Sequence, residues 1–289
     1  MITTLERKPG NTIELTLLIP WSQIETTYKK MVDALIAQVE LSGFRKGKAP
    51  RDLAEKNLDH TKVYEEVIRE IIPKSYTDAL TEHQLRPIIN PQIELLEAQE
   101  GKDWKVKAVT AEKPKVILGE YRKVIASLHA AKKNKIWVPG QTKPTEEKKE
   151  TGPTVAEILE TIYKAVTVDI SPVIIENEVN RMLSSLLNET QKLGLTVEAY
   201  LQAQQKTKES LRAEYEAQAK KTLALEFALE EIAEQEKVTV SEAEVEEVVK
   251  NAKIESEKTE LGKQKYYLAS LLRRQKTLNA LLSPTVVTT

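Results

Sequence analysis

Residues 42–50, SGFRKGKAP, bring together side chains suited to binding an anionic surface. The segment holds two glycines, one aromatic residue and three cations, and it holds no acidic residue. Arginine can form a forked pair of hydrogen bonds with a phosphate, and lysine supplies a compact positive charge. Phe44 stands where no apolar periodicity predicts its burial, so its ring is available to stack on a base or an apolar group. Gly43 and Gly47 permit backbone angles that other residues avoid.

Besides binding to an anionic surface, the loop has two other possible roles. A polar connection between two helices, turned by its glycines, is the plainer alternative. A phosphate-cradling loop is rejected, because the spacing G-x-x-x-G-K is one residue short and Ala49 replaces the hydroxyl that would hold magnesium. We favour a docking tip for an RNA-rich surface, at which Arg45, Lys46 and Lys48 would neutralise phosphates.

The rest of the sequence offers no pattern for catalysis or metal binding. The chain has no cysteine, which excludes disulfides, thiolate metal sites and cysteine nucleophiles. His60, His83 and His129 lack a carboxylate or second histidine at metal-ligand spacing, so we expect solvated or capping roles for them. A G-x-S-x-G nucleophile motif is also absent. We therefore expect no catalytic residue, no metal and no cofactor.

The charge of the chain differs between its halves. Over 289 residues the formal net charge is −1, so no overall basic field attracts nucleic acid. Residues 154–289 contain 17 Lys and Arg against 22 Asp and Glu, and phosphate would repel them. Binding to RNA is therefore expected only in the first half, at the loop.

Periodicity predicts an α+β first half and an all-α second half. Alternation predicts strands at 2–8 and 11–19, and apolar spacing of three and four predicts helices from Trp21 to about His83. Strands are expected to return over residues 88–125. From residue 154 onward only helices are predicted, with capping boxes at Thr154–Glu157 and Ser241–Glu244.

The domain prediction follows from these elements. Residues 132–153 contain three prolines, two glycines and nine charged residues, which is typical of a linker. We expect an α+β domain over 1–131, with a small sheet and a helix-loop-helix tip, and an all-α domain over 154–289. The two domains should form an elongated molecule. Because the N-terminus lacks the apolar run of a signal peptide and no stretch is long enough to span a membrane, we expect a cytoplasmic protein without membrane contact.

The loop also carries a family resemblance. GFRKGKAP at 43–50 resembles the signature G-F-R-x-G-K-x-P with which trigger factors, the bacterial ribosome-associated chaperones, dock on the ribosome. The stretches PIINPQIEL, LGEYRKV at 118–124, SPVIIENEVNRML and VSEAEVEEVV follow that family's order. The resemblance covers about 1–125 and 154–282. It is most specific in the signature and softer in the helical half.

The resemblance implies a function and partners. It implies an ATP-independent chaperone that docks on the large ribosomal subunit, at ribosomal RNA and an exit-site protein, and shields unfolded nascent polypeptides. Ala49 stands where the family usually has a larger aliphatic residue, which weakens local packing but not the contacts. The resemblance leaves open a homodimer off the ribosome and implies a protein that is partly ribosome-associated. The residues that it assigns to the ribosome contact are Gly43, Phe44, Arg45, Lys46, Gly47 and Lys48.

One family feature is missing. Typical members carry a prolyl isomerase domain of the FK506-binding type between the halves, which needs on the order of 100 residues and an aromatic-lined pocket. Only residues 132–153 lie there, with Trp137 as their one aromatic residue. We therefore predict that the isomerase domain is absent and that the protein is not an enzyme.

Client-contacting residues and alternative functions complete the predictions. Met182, Leu186, Leu193 and Tyr200 are candidates for contact with clients, and ordinary helix-core packing is the alternative for each. A ribosome-independent holdase related to periplasmic chaperones is one other function. An RNA-binding ribosome assembly factor is a third, although it would favour basic surface beyond the loop.

Overall fold

The computed structural model describes residues 2–38, 40, 44–45, 47, 50–133, 152–251 and 264–283. By contacts between residues the chain divides into two compact units. The first comprises Met1–Lys113 with Ser171–Ile174, and the second comprises Pro114–Ile170 with Ile175–Thr289.

A four-stranded antiparallel sheet forms the base of the first unit. Its strands are β1 (Ile2–Lys8), β2 (Thr12–Ile19), β3 (Gln92–Glu97) and β4 (Trp104–Ala111), arranged in the order β1-β2-β4-β3. Gly10, at φ +70°, turns the chain between β1 and β2. Because side chains alternate across a strand, one face of β2 is fully buried. The residues on that face are Ile13, Leu15, Leu17 and Ile19.

The described residues of the first unit form three helices: α1 (Trp21–Ile36), α2 (Arg51–Lys56) and α3 (His60–Glu82). Asp59 caps α3 by accepting a hydrogen bond from the Thr61 N–H. The apolar stripes of α1 and α3 pack on the inner face of the sheet and close one core. Burial of this kind stabilises by about 25 cal/mol per Å² of apolar surface. Core residues from the helices and β4 include Ile24, Val32, Val63, Val67, Ile71, Trp104 and Val106.

The described residues of the second unit are helical apart from one short strand pair. Strand β5 (Val116–Ile117) pairs antiparallel with β6 (Thr167–Val168). The helices are α4 (Tyr121–Lys133), α5 (Val155–Ala165), α6 (Pro172–Lys192), α7 (Val197–Ala203), α8 (Lys208–Gln235), α9 (Glu242–Asn251) and α10 (Lys265–Leu282). Their main core includes Ile125, Ile158, Ile162, Leu229, Ile232 and Leu281. The α+β and all-α classes predicted for the two halves are confirmed, but the prediction of helices alone from residue 154 onward is wrong at β6.

The strand predicted to continue through residue 125 is wrong beyond Ile117. Residues 121–133 form α4 instead, because Tyr121 and Ile125 recur at helical spacing and bury in the core of the second unit. Gly119, at φ +57°, turns the chain between β5 and α4. The predicted boundary placed residues 114–131 in the first domain. By contacts between residues they group with the helical unit instead.

Both predicted capping boxes are confirmed. At the start of α5, the Thr154 N–H donates to Glu157 Oε2 over 2.9 Å, and the Glu157 N–H donates to Thr154 Oγ1 over 3.3 Å. Lys132 Nζ, 2.6 Å away, and the Thr154 N–H lower the pKa of Glu157 to about 2. The same pair of bonds joins Ser241 and Glu244 before α9.

The predicted linker lies mostly outside the described residues. Its first two residues, Lys132 and Lys133, end α4, and residues 152–153 precede α5. Residues 134–151, including Trp137, are among those that the structure does not describe. Within the described ranges, none of the helices is both long enough and apolar enough to cross a membrane.

Candidate functional site

Gly47 fixes how the loop returns to α1. Its φ of +69° lies in the left-handed region that side chains with a Cβ disfavour. A Cβ placed on Gly47 would lie 2.4 Å from the carbonyl oxygen of Ala37, the residue that ends α1. The backbone of the loop therefore packs directly against the end of that helix, and this position requires glycine for two reasons.

An ion pair and a short helix anchor the other side of the loop. Pro50 precedes α2 in an extended conformation, and Arg51 pairs with Asp33 of α1 over 2.7 Å. Ala54 of α2 is buried. Arg51, which follows the three cations of the loop in the sequence, is therefore paired with α1 and is not free to bind phosphate. The pair is exposed, so its share in stability is small, about 0–1 kcal/mol.

The described part of the tip points to solvent. Phe44 is 44% exposed, although it is one of only two phenylalanines in the chain. Arg45 is exposed as well and has no ion-pair partner in the part of the chain that the structure describes. The other predicted contact residues, Gly43, Lys46 and Lys48, lie outside the described residues. An aromatic ring and a cation thus stand free on an anchored base.

A groove between α6 and α8 holds two of the predicted client-contacting residues. It has a volume of about 360 Å³ and mixes apolar, polar and charged groups. Met182 is half-buried there, and Leu186 lies beneath it. Burial raises the pKa of the Tyr215 phenol on the facing helix. The lining residues are Glu178, Arg181, Met182, Ser185, Leu186, Glu189, Tyr215, Gln218 and Thr222.

Leu186 has to be withdrawn as a client-contacting residue. Its side chain is only 7% exposed and packs with Leu201 and Leu211 in a small core of its own. Tyr200 is half-buried against the same core, so most of its ring is also committed to packing. Leu193, in contrast, is 74% exposed after α6. The structure therefore separates the four candidates into surface and core.

Other exposed apolar side chains in the second unit were not predicted from the sequence. Leu187 and Leu195 flank Leu193 in the chain and are exposed. Tyr266 and Tyr267, at the start of α10, are exposed too. The exposure of Leu195 could have been predicted from the sequence LGL at 193–195, because a glycine between two leucines indicates a turn at the surface. Gly194 has a φ of +69°. Tyr266 and Tyr267 gave no such signal, because adjacent apolar residues in a helix do not identify the buried face.

The histidines hold structural positions. His129 is buried, and its Nε2 lies 2.9 Å from the carbonyl oxygen of Leu281, to which it must donate because a carbonyl only accepts. Leu281 lies in the last turn of α10, so His129 has the capping role that was one of the two expected, while its ring is buried and not solvated. His60 Nδ1 lies 2.7 Å from the Tyr28 hydroxyl. No group of three or more metal-ligating side chains occurs among the described residues.

Both halves of the chain match models of one protein family. Residues 1–136 match the family described as bacterial trigger factor protein, and residues 142–283 match the model of its C-terminus. Only residues 137–141 separate the two matches.

Curated relatives and a solved structure agree with this match. A trigger factor of Natranaerobius thermophilus is 33% identical over 122 residues, which are 42% of this chain and 27% of that protein. A trigger factor of Staphylococcus carnosus is 32% identical over 122 residues, 42% of this chain and 28% of that protein. The matched stretch thus spans little more than a quarter of these relatives. A solved structure also resembles this chain; its description concerns promiscuous substrate recognition in the folding and assembly activities of the trigger factor chaperone. The TM-score is 0.63 at 14% identity, and the match covers 98% of this chain and 99% of that one. At this identity the likeness shows the fold.

Replacing Gly47 by alanine tests the loop geometry. We expect Gly47→Ala to accelerate amide hydrogen exchange in α2 by roughly 5- to 30-fold, the equivalent of about 1–2 kcal/mol, because the new Cβ meets the Ala37 carbonyl. Gly101→Ala is the matched control, since Gly101 also has a positive φ of +79° in the same unit but its Cβ would meet nothing within 4 Å. Unchanged exchange in α2, or equal acceleration by Gly101→Ala, would contradict this geometry.

Proposed function

The chain belongs to the trigger factor family, and from this premise we propose that it is an ATP-independent chaperone that docks on the large ribosomal subunit and shields nascent polypeptides. The first unit would supply the docking tip at residues 43–50. The helical unit would supply the surface that contacts clients. The match to this chain spans little more than a quarter of the length of the curated trigger factors named above.

The exposure of Phe44 and Arg45 on a fixed base is the observation that supports docking. Gly47 already packs against the end of α1 before any partner arrives, which lowers the ordering cost of binding, and the exposed Arg51–Asp33 pair adds little. Arg45 can form a forked contact with a phosphate, and the Phe44 ring can cover a base or an apolar side chain. An exposed cation also gives the contact the salt dependence of phosphate binding.

The helical unit offers weak and distributed contacts to clients. Leu187, Leu193 and Leu195 are exposed near the end of α6, and Met182 lies half-buried in the groove of about 360 Å³. Each contact would shield a small apolar area, worth about 25 cal/mol per Å², so a client can be released without ATP. Docking on the ribosome would raise the local concentration of client enough for such affinity to suffice.

Two other functions predict different partners. A ribosome-independent holdase would have the helical surface but would gain nothing from an exposed cationic tip. An RNA-binding assembly factor would use the tip but would gain nothing from exposed leucines on an acidic helical half. The combination of both features in one chain favours the ribosome-bound chaperone. A homodimer off the ribosome and a cytoplasmic location remain predictions of this proposal.

We also propose that the protein is not a prolyl isomerase. Residues 137–141 alone separate the two family matches. A domain of the isomerase type needs on the order of 100 residues, the typical size of a folded domain. Shielding would then be the main activity.

Ribosome pelleting tests the docking tip. The double variant Phe44→Ala with Arg45→Ala should bind ribosomes at least about tenfold more weakly, and the salt dependence of its binding should be smaller because a phosphate contact is lost. The matched control is Leu53→Ala with Arg69→Ala, which removes an exposed apolar residue and an exposed cation from α2 and α3. Pelleting of the tip variant like the wild type would refute docking by this loop.

Client assays test the second half of the proposal and separate the alternatives. The protein should suppress aggregation of an unfolded client without RNA, and Leu193→Ser with Leu195→Ser should weaken suppression several-fold. Val155→Ser, at a similarly exposed apolar position of the same unit, should have no effect.

With a proline-containing peptide the protein should give only the uncatalysed isomerisation rate. Suppression only when RNA is present would favour the assembly factor, and clear turnover of the peptide would disprove the absence of isomerase activity.

A further inference from the structure

The edge strand β3 exposes apolar residues that a sheet edge normally avoids. All six residues from Gln92 to Glu97 are exposed. On one side β3 pairs with β4, and on the other side no strand of the described chain pairs with it. An unpaired edge presents free backbone N–H and C=O groups, which makes it a template for another strand.

Two apolar side chains of β3 lie on the core face of the sheet but remain exposed. Ile93 pairs with Ala108, and Leu95 pairs with Val106, so these two side chains share the core face of β4. Ala108 and Val106 are fully buried, whereas Ile93 is 42% and Leu95 is 40% exposed. The core face therefore ends in a half-covered apolar strip, which an added strand would extend and cover.

The opposite edge of the same sheet is protected by charge over Glu6–Lys8, whereas Ile2–Leu5 carries no charged residue. Strand β1 carries Glu6, Arg7 and Lys8 at one end, and Arg7 pairs with Glu112 while Lys8 pairs with Glu14. Charged residues on an edge strand are a common means of preventing strand addition. Strand β3 has no lysine, arginine or proline. Strand β3 also leaves Ile93 and Leu95 of the core face exposed, whereas Leu5 of β1 packs against the core, which points to β3 as the edge more open to a partner.

A bulge limits the length of the open edge. The pairing of β3 with β4 shifts between Leu95 and Glu97, which leaves Leu96 as the extra residue. The regular part of the edge is therefore Gln92–Leu95. A strand added there gains few main-chain hydrogen bonds, which fits a weak and reversible contact.

The charge of β3 indicates what kind of segment would add to it. Glu94 and Glu97 are its only charged residues. Lys107 and Lys105 of β4 lie opposite them, but neither carboxylate is within ion-pair distance of a cation in the described ranges. Two copies of β3 in antiparallel pairing would bring these carboxylates close together, which is unfavourable. A segment with lysine or arginine on one face and aliphatic side chains on the other would pair its cations with the carboxylates and its aliphatic groups with the strip.

We propose that β3 is a second client site, at which an extended segment of unfolded polypeptide with alternating aliphatic and cationic residues adds as a fifth strand. The proposal rests on the proposed chaperone function, since an unfolded client supplies the segment. It adds a main-chain mode of recognition in the first unit to the side-chain contacts of the helical unit. It differs from ribosome docking in residues and in partner.

Defined peptides test this mode of binding. The probe is a short dye-labelled peptide in which valine and lysine alternate, with binding followed by fluorescence anisotropy and by hydrogen exchange. The full chain should bind it and should gain amide protection in β3. A peptide with glutamate in place of lysine should bind about tenfold more weakly, or worse, because it repels Glu94 and Glu97. The valine-lysine peptide N-methylated at its central amides should not bind, because the methyl groups block strand pairing.

Matched substitutions on the two edges locate the site. Ile93→Lys places an inward-pointing cation on β3, and its exposed position lets the ammonium reach water without unfolding the sheet. It should weaken peptide binding by at least about tenfold. Ile2→Lys, the same change on the opposite edge strand, should leave binding unchanged.

The outcomes separate this proposal from the chaperone function itself. Equal binding of the N-methylated peptide, equal loss with Ile2→Lys, or protection outside β3 would each overturn it. Protection of β3 that rises with protein concentration in the absence of peptide would show pairing between two copies instead and would also overturn it. Ribosome pelleting and suppression of aggregation by Leu193 and its neighbours would stand unaffected in any of these cases, so a failure here is distinguishable from a failure of the chaperone function.

Discussion

The close approach of Gly47 to the carbonyl oxygen of Ala37 is the constraint from which the candidate docking site follows. It places Gly47 against the end of α1, and Arg51 pairs with Asp33 of the same helix. An aromatic residue that would ordinarily be buried is instead held exposed beside Arg45.

The two units meet different physical demands. In the first, a sheet with one buried face and two packed helices form a rigid support for a small exposed tip. In the second, helices bury a main core and a separate small one and still leave leucines and tyrosines on their surface. Exposed apolar groups of this kind mark interaction surfaces in soluble proteins. One surface can therefore be specific and salt-dependent while the other is weak and tolerant of many sequences.

The fold could be predicted from sequence where local signals and burial agreed. Alternation in β2 and the capping boxes at Thr154 and Ser241 specified their structures directly. The error at residues 121–133 arose because β-branched residues there suit a strand, and only packing of Tyr121 and Ile125 on the helical core decides for a helix. Burial of Leu186 beside exposed Leu193 could not be predicted either, since it depends on how α7 and α8 pack against α6. Likewise, the pairing of Arg51 with Asp33 joins residues that the sequence pattern treats as independent.

The most direct test of this account is a photo-crosslinking measurement on ribosomes. A benzophenone amino acid would replace Phe44 in one variant and Val124, a similarly exposed residue of α4, in another. The account predicts that the probe at position 44 crosslinks to RNA or protein of the large subunit beside the exit and is competed by unlabelled wild-type chain, whereas the probe at position 124 gives no such product. Equal crosslinking from both positions, or none from position 44 while the protein still pellets with ribosomes, would contradict it.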